Sequence, residues 1–193
     1  MKSALLVAFA SVLGLSVTAS TVFPAACGPN ANILSESSFT HKGAEVKLVT
    51  ISCPGSDVRG RGTLGNPSKR QALSQCDALT NPCTGFECDL RADQPSLLDC
   101  NDLTIALDGL SDPILIPPST GVVATLATCT YVYINTDTVE YSVCGSAFGT
   151  LGIDTTTHCF TSFTTSIGGI CFSPETPGND WVVQVVATVD SPE

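Results

Sequence analysis

Apolar residues recur with a helical period in one stretch of the chain, and this stretch predicts a helix. The stripe consists of Leu97, Cys100, Leu103, Leu107 and Leu110, which are spaced three and four residues apart. Gln94–Pro95 opens the stretch, where a proline costs no helical hydrogen bond, and Gly109 closes it. Because a cysteine lies within the stripe, we expect a disulfide to attach the buried face of this helix to a sheet.

Several other stretches are rich in β-branched and aromatic residues and predict strands. Residues 45–52 form one strand, and residues 122–134 form one long strand or a pair of strands. A turn at 135–137 followed by a return over 139–143 predicts a hairpin. Residues 181–189 are largely apolar on both faces, which predicts a central strand covered on both sides.

The stretch from Cys144 to Cys159 combines conflicting signals. Apolar residues fall at helical spacing, but Gly145, Gly149, Gly152 and several threonines are poor helix formers. We predict a weak helix held by disulfides at its two ends. The fold class that results is α+β, a single disulfide-stapled domain in which helices pack on an antiparallel sheet.

The first twenty residues have the pattern of a secretory signal peptide. Lys2 supplies a positive start, residues 4–17 are mostly apolar, and residues 17–19 offer small side chains for cleavage. We therefore assign residues 1–20 to a signal peptide and expect a secreted, extracellular protein. The apolar run is too short to span a bilayer comfortably, and no later segment is apolar enough to anchor the chain, so membrane insertion is not expected.

Ten cysteines follow the signal peptide: Cys27, Cys53, Cys76, Cys83, Cys88, Cys100, Cys129, Cys144, Cys159 and Cys171. An even number in an exported chain predicts a framework of up to five disulfides, whose connectivity the sequence leaves open. A metal site is the weaker interpretation, because there is no Cys-x-x-Cys and His41 lies far from His158 in sequence. Neither a metal nor a cofactor is predicted.

The charge of the chain is strongly negative and unevenly distributed. The formal net charge is -10, which disfavours nucleic acid as a partner. Residues 21–75 carry six basic and three acidic side chains, whereas residues 76–193 carry one basic and fifteen acidic ones. The basic region ends near Lys69–Arg70, a dibasic pair of the kind that secretory processing proteases cut.

This charge boundary predicts a division of the mature chain. We interpret residues 21–70 as a basic N-terminal arm or propeptide and residues 71–193 as the cysteine-rich α+β domain. Cys27 and Cys53 could pair within the arm, which would leave eight cysteines for the domain. The alternative is that Lys69 and Arg70 are an ordinary solvated surface pair.

From Cys83 to about residue 191 the cysteine order and flanking residues resemble a known family. The helix with Asp99–Cys100 and Ala106–Leu107, then Thr128–Cys129, residues 168–171 and residues 181–185 follow in the same order. This pattern is similar to small secreted mushroom proteins of the family typed by a glycan-binding protein called Y-three. The resemblance implies an α/β/α sandwich and recognition of terminal oligosaccharides. Fungal killer-toxin-like effectors are a more distant resemblance.

A glycan site needs an aromatic face for the sugar ring and polar groups for its hydroxyls. The candidate ligand-binding residues are Tyr131, Tyr133, Asn135, Asp137 and Tyr141. The first two tyrosines are two apart on a predicted strand and share a face. The alternative is that these tyrosines belong to the core, as we expect for Trp181.

Catalysis is the less favoured function class. Asp154 and His158 would share a helix face, with Ser142 or Ser146 as a conceivable nucleophile, but no Gly-x-Ser-x-Gly elbow surrounds either serine. We therefore predict a non-enzymatic, secreted, lectin-like protein whose partners are glycans or glycoproteins, and we leave a homodimer open. The alternative is a secreted effector or killer-toxin-like protein without sugar binding.

Overall fold

A computed structural model describes residues 27, 30–54, 72–77, 82–89, 94–162 and 168–188, with the side chains of 161 and 162 left aside. The signal peptide and the Lys69–Arg70 pair lie outside the described residues, so both remain predictions. Within the described part, no helix has the length and apolarity needed to cross a bilayer.

Ten strands and two helices follow one another along the chain. The strands are β1 (Ile33–His41), β2 (Ala44–Ser52), β3 (Leu73–Gln75), β4 (Gly85–Asp89), β5 (Ile114–Ile116), β6 (Thr120–Leu126), β7 (Cys129–Asn135), β8 (Tyr141–Val143), β9 (Gly168–Phe172) and β10 (Trp181–Ala187). The helices are α1 (Leu97–Asp108), between β4 and β5, and α2 (Gly145–Ser162), between β8 and β9.

Seven strands form one antiparallel sheet in the order β1-β2-β6-β7-β10-β9-β4. A second, three-stranded sheet has the order β3-β8-β5, in which β3 and β8 are parallel. The predicted α+β class is confirmed in its coarse form, and the sheet dominates the structure.

Both helices pack on the same face of the large sheet. Helix α1 contacts β6 and β7, helix α2 contacts β4, β7, β9 and β10, and the two helices contact each other. The core beneath them includes Tyr131, Tyr133 and Val183. On the opposite face, Val132 and Ile134 join a smaller cluster around Cys27 and Cys53 rather than a second helical layer. The described residues therefore form one helical layer on a sheet, and not the α/β/α sandwich that the resemblance implied.

The sequence pattern located α1 correctly. Ser96 caps its first turn by accepting a hydrogen bond from the Asp99 amide, and the Gly109 amide closes its last turn. Cys100 is fully buried and bonded to Cys129 on β7, which confirms that a disulfide attaches this helix to the sheet.

The prediction that residues 139–143 return as a hairpin partner of β7 is wrong. The neighbours of β7 are β6 and β10, and β8 belongs to the small sheet. The side-chain amide of Asn135 donates 2.8 Å hydrogen bonds to the backbone carbonyls of Ile116 and Val139. These bonds direct the chain after β7 away from the large sheet. Residues 122–134 are a strand pair, and the turn between them has a positive φ of 48° at Ala127.

The central position predicted for residues 181–189 is confirmed over β10, which lies between β7 and β9. The expectation that both of its faces are covered is only partly met. Trp181, Val183 and Val185 are buried beneath the helices, whereas Val182 and Gln184 on the other face are half-buried.

The stretch between Cys144 and Cys159 is helical, and the cysteine at each of its two ends forms a disulfide, as predicted. Cys144 bonds to Cys76 next to β3, and Cys159 bonds to Cys88 on β4. Its glycines serve close packing: a Cβ on Gly152 would lie 2.4 Å from the Tyr131 ring, and one on Gly145 would lie 2.1 Å from the Leu107 carbonyl oxygen.

All ten cysteines are paired, and their pairing separates two groups. Cys27–Cys53 closes within the N-terminal region, while the other four bridges all lie between Cys76 and Cys171. The N-terminal region is nevertheless part of the main sheet, because β2 pairs with β6 over six residues and buries Val46 and Ile51. The arm is thus integrated by strand pairing and not by a disulfide.

Candidate functional site

The five residues predicted to bind a glycan are close together but lie inside the protein. Tyr131, Tyr133, Asn135 and Tyr141 have no exposed surface, and Asp137 is 8% exposed. The expectation of an exposed aromatic face at this position is therefore wrong. The physical reason is that both helices cover the face of β7 on which the two strand tyrosines lie.

Asp137 and Tyr141 instead organise the segment before β10. One oxygen of the Asp137 carboxylate accepts hydrogen bonds from the Tyr141 hydroxyl at 2.8 Å and from the Gly178 amide at 2.7 Å. The Asp180 amide donates to the Tyr141 hydroxyl at 2.8 Å. Burial is the largest cause that raises the pKa of Tyr141 well above its usual value, and the neighbouring Asp137 raises it further. These contacts give the cluster a structural role.

The two tyrosines of β7 are core residues with different polar environments. The Tyr131 hydroxyl donates to the Cys100 carbonyl at 2.8 Å and lies 3.1 Å from the Thr104 hydroxyl. Tyr133 stacks on Trp181 at 5.5 Å between ring centroids, and its hydroxyl has no hydrogen-bond partner among the described residues. Burial raises the pKa of both tyrosines.

An open cleft lies elsewhere, between β4 with the residues that precede it and the outer side of α2. Its volume is about 370 Å³, and it is shallow and widely open to solvent. We call it the β4–α2 cleft, and its walls are formed by Pro82, Cys83, Phe86, Asp154, Thr157 and His158.

A stacked pair of rings forms the centre of this cleft. The Phe86 and His158 rings are 4.2 Å apart between centroids and inclined by 14°. Phe86 is half-buried against the core, whereas His158 is exposed. The pair therefore presents a flat surface whose outer member faces solvent.

The polar groups of the cleft come from successive turns of α2. Asp154 and His158 are four residues apart and share a face of the helix, as their spacing predicted. Burial raises the pKa of the Asp154 carboxyl above its usual value. The cleft thus places a carboxylate one helical turn from the ring pair.

Two disulfides hold the walls of the cleft together. Cys83–Cys171 attaches the segment that precedes β4 to β9, and Cys88–Cys159 attaches β4 to α2. Phe86 lies between the two bridged cysteines, so its backbone is fixed on both sides.

The two serines considered as nucleophiles lie outside this cleft. Neither Ser142 nor Ser146 is among the described residues that line it with Asp154 and His158. Among the described residues, no group of three metal-ligating side chains is placed to hold a metal ion.

Sequence reasoning identified Asp154 and His158 as neighbours but missed Phe86. Phe86 reaches His158 only because β4 pairs with β9 and is bonded to α2. The only local signal was the dense group of cysteines around it. Comparisons with protein-family models, with curated proteins and with solved structures each found no match.

Proposed function

We propose that this chain is a secreted, disulfide-stapled, lectin-like protein that binds glycans in the β4–α2 cleft. The observation that carries the proposal is the stacked Phe86–His158 ring pair, whose outer ring, His158, is exposed, with Asp154 one helical turn away. Flat rings accept the C–H face of a sugar, and a carboxylate accepts hydrogen bonds from its hydroxyls. The resemblance to secreted fungal glycan-binding proteins points to the same class of ligand.

Charge narrows the class of sugar. Residues 76–193 carry fifteen acidic side chains and a single basic one, Arg91. A sulfated, phosphorylated or acidic glycan would be repelled by this field, whereas neutral sugars, N-acetylated amino sugars included, are unaffected and sugars with a free amine are attracted. The proposal therefore specifies neutral or amino-sugar glycans.

A glycan array probed with the intact secreted protein tests the proposal. We expect selective binding to neutral or amino-sugar structures and about tenfold weaker binding for His158→Ala, because the outer ring of the pair is lost. Asp154→Asn should also weaken binding. Asp108→Asn, an exposed carboxylate on α1, is the matched control and should bind normally. A folded protein that binds no glycan, or that binds equally well without His158 and Asp154, contradicts the proposal.

Processing of the N-terminal arm belongs to the same proposal. We infer that cleavage after Lys69–Arg70 cuts the chain between residues 21–70 and the domain. No disulfide joins the two described regions, so after the cut they are held together only by non-covalent contacts such as the pairing of β2 with β6. If the intact mass of the secreted protein corresponds to an uncut chain, the pair is an ordinary surface feature.

A secreted effector that acts on a protein partner is the second candidate. It is supported by apolar side chains on the outer side of α1, where Leu98 is 77% exposed and Ile105, seven residues later, is 44% exposed. A silent glycan array together with loss of biological activity in Leu98→Asp would favour this candidate.

A further inference from the structure

Strand β1 forms one end of the large sheet and leaves an open edge. It is nine residues long, most of its residues are exposed, and no other described strand pairs with its outer side. The opposite end differs: β4 has five residues, includes Glu87 and Asp89, and is fixed by two disulfides. Short length and charge protect a sheet edge, so β1 is the less protected of the two.

The turn between β1 and β2 determines which backbone groups face outward. Lys42 and Gly43 form a two-residue turn with φ angles of 49° and 84°, as in a type I′ hairpin. In such a hairpin the residues that flank the turn, His41 and Ala44, form two backbone hydrogen bonds with each other. Along β1, every second residue then bonds to β2 in this way, and the residues between them point their backbone N–H and C=O groups outward. The backbone groups of Glu36, Ser38 and Thr40 therefore point away from β2.

The regular part of β1 is suited to pairing with a second copy of itself. The register is irregular between Ile33 and Ser35, which leaves residues 35–41 as the regular edge, with Ser38 at its centre. A two-fold axis through Ser38 aligns this edge over its full length and places Glu36 opposite Thr40. No like charges face each other in this register, and each outward pair exchanges two backbone hydrogen bonds.

Charge favours the same contact. The β1–β2 hairpin carries Lys42 and Lys47 against Glu36 and Glu45, so it is formally neutral. The rest of the chain is strongly acidic, so two copies repel each other least when they meet through this hairpin.

We propose that the outer edge of β1 is a self-association surface, on which two copies pair antiparallel about Ser38 and join their large sheets into one. The contact involves one strand from each copy and is smaller than a standard interface, so the dimer dissociates on dilution. Added salt screens the repulsion between the acidic domains and therefore strengthens the association.

Sedimentation of the intact secreted protein over a concentration series tests this inference. The chain and its Ser38→Ala control should show a dimer whose fraction rises with protein and salt concentration. Ser38→Lys places two ammonium groups opposite each other and should weaken the dimer about fivefold. Ser38→Glu should weaken it less, because Lys47 of the same hairpin lies opposite residue 38 and partly neutralises the added carboxylate.

A mixture of Ser38→Lys with Ser38→Glu separates loss of pairing from loss of folding. The opposite charges then face each other, so we expect the heterodimer to recover the affinity that each variant loses alone. A chain that stays monomeric at all concentrations overturns the proposal, as does a dimer that Ser38→Lys leaves unchanged. These outcomes are independent of glycan binding, because β1 and the cleft lie at opposite ends of the sheet.

Discussion

Replacing Gly152 with alanine adds one methyl group where α2 packs against the sheet. Its Cβ would lie 2.4 Å from two carbons of the Tyr131 ring, well inside the normal contact distance of about 3.5–4.0 Å. The ring cannot retreat easily, because its hydroxyl donates to the Cys100 carbonyl on α1 and its face packs near Phe148. Relief therefore requires α2 to move away from the sheet.

Two effects of opposite sign determine how much Gly152→Ala changes the free energy of unfolding. Overpacking of a close-packed interior costs about 1–3 kcal/mol, and the higher helix propensity of alanine returns about 1 kcal/mol. Because the clash involves a ring held by a hydrogen bond, the cost lies at the upper end of its range. We expect a net destabilisation of about 2 kcal/mol.

Guanidinium denaturation with the disulfides intact measures this difference through the fluorescence of Trp181, the single tryptophan of the chain. Ser146→Ala, at an exposed position of the same helix, is the control and should change stability by less than about 0.5 kcal/mol. A Gly152→Ala variant as stable as the parent, or more stable, would show that the glycines of α2 are not required by packing.

Two further predictions concern the N-terminal hairpin. Lys42 donates a 2.8 Å hydrogen bond to the Asp102 carboxylate on α1, which lowers the pKa of that carboxyl below its usual 3.8. A carboxyl whose pKa is lowered on folding stabilises the folded state at pH values above its usual pKa, and this contribution is lost as the pH falls through the lowered pKa. In urea titrations the difference in unfolding free energy between the parent and Asp102→Asn should therefore vanish at low pH. A difference that stays constant with pH contradicts this. Cleavage at Lys69–Arg70 should yield two chains that co-elute in native buffer and separate in denaturant without reductant, since strand pairing and other non-covalent contacts join them but no disulfide does; separation in native buffer refutes the bound hairpin.

Elements whose signals are local could be predicted from the sequence. The stripe around Cys100 defines α1 because periodicity and capping act within a few residues. The helix α2 was harder to recognise, since its glycines are unfavourable locally and are explained only by contacts with Leu107 and Tyr131, far away in sequence. The partner of β8 was assigned wrongly because pattern alone cannot distinguish a return into the same sheet from an exit into another.

The candidate site likewise contains residues that local sequence patterns predict and residues that they do not. The Asp154–His158 pair follows from helical spacing, whereas Phe86 joins it through β-pairing and a disulfide that no local pattern reveals. The tyrosines of β7 are the reverse case, residues that were assigned to a binding site and lie in the core. Alternation correctly placed Tyr131 and Tyr133 on one face, but it cannot tell whether that face is open or covered by helices.

Two disulfides lie beside the proposed binding site in the β4–α2 cleft. Strand β4 is a five-residue edge strand whose residues are at most half-buried, so packing holds it weakly. Yet two bridges, which close sequence separations of 88 and 71 residues, join at Cys83 and Cys88 on either side of Phe86. Each long-range bridge of this kind stabilises a fold by roughly 4.5 kcal/mol in the chain-entropy account. Such bridging also fixes the ring of Phe86 against His158 before any ligand arrives, and a preformed surface loses less conformational entropy on binding. The same two bridges therefore serve both purposes: they hold a short edge strand that packing holds weakly, and they keep in place the ring pair that the proposed ligand would contact.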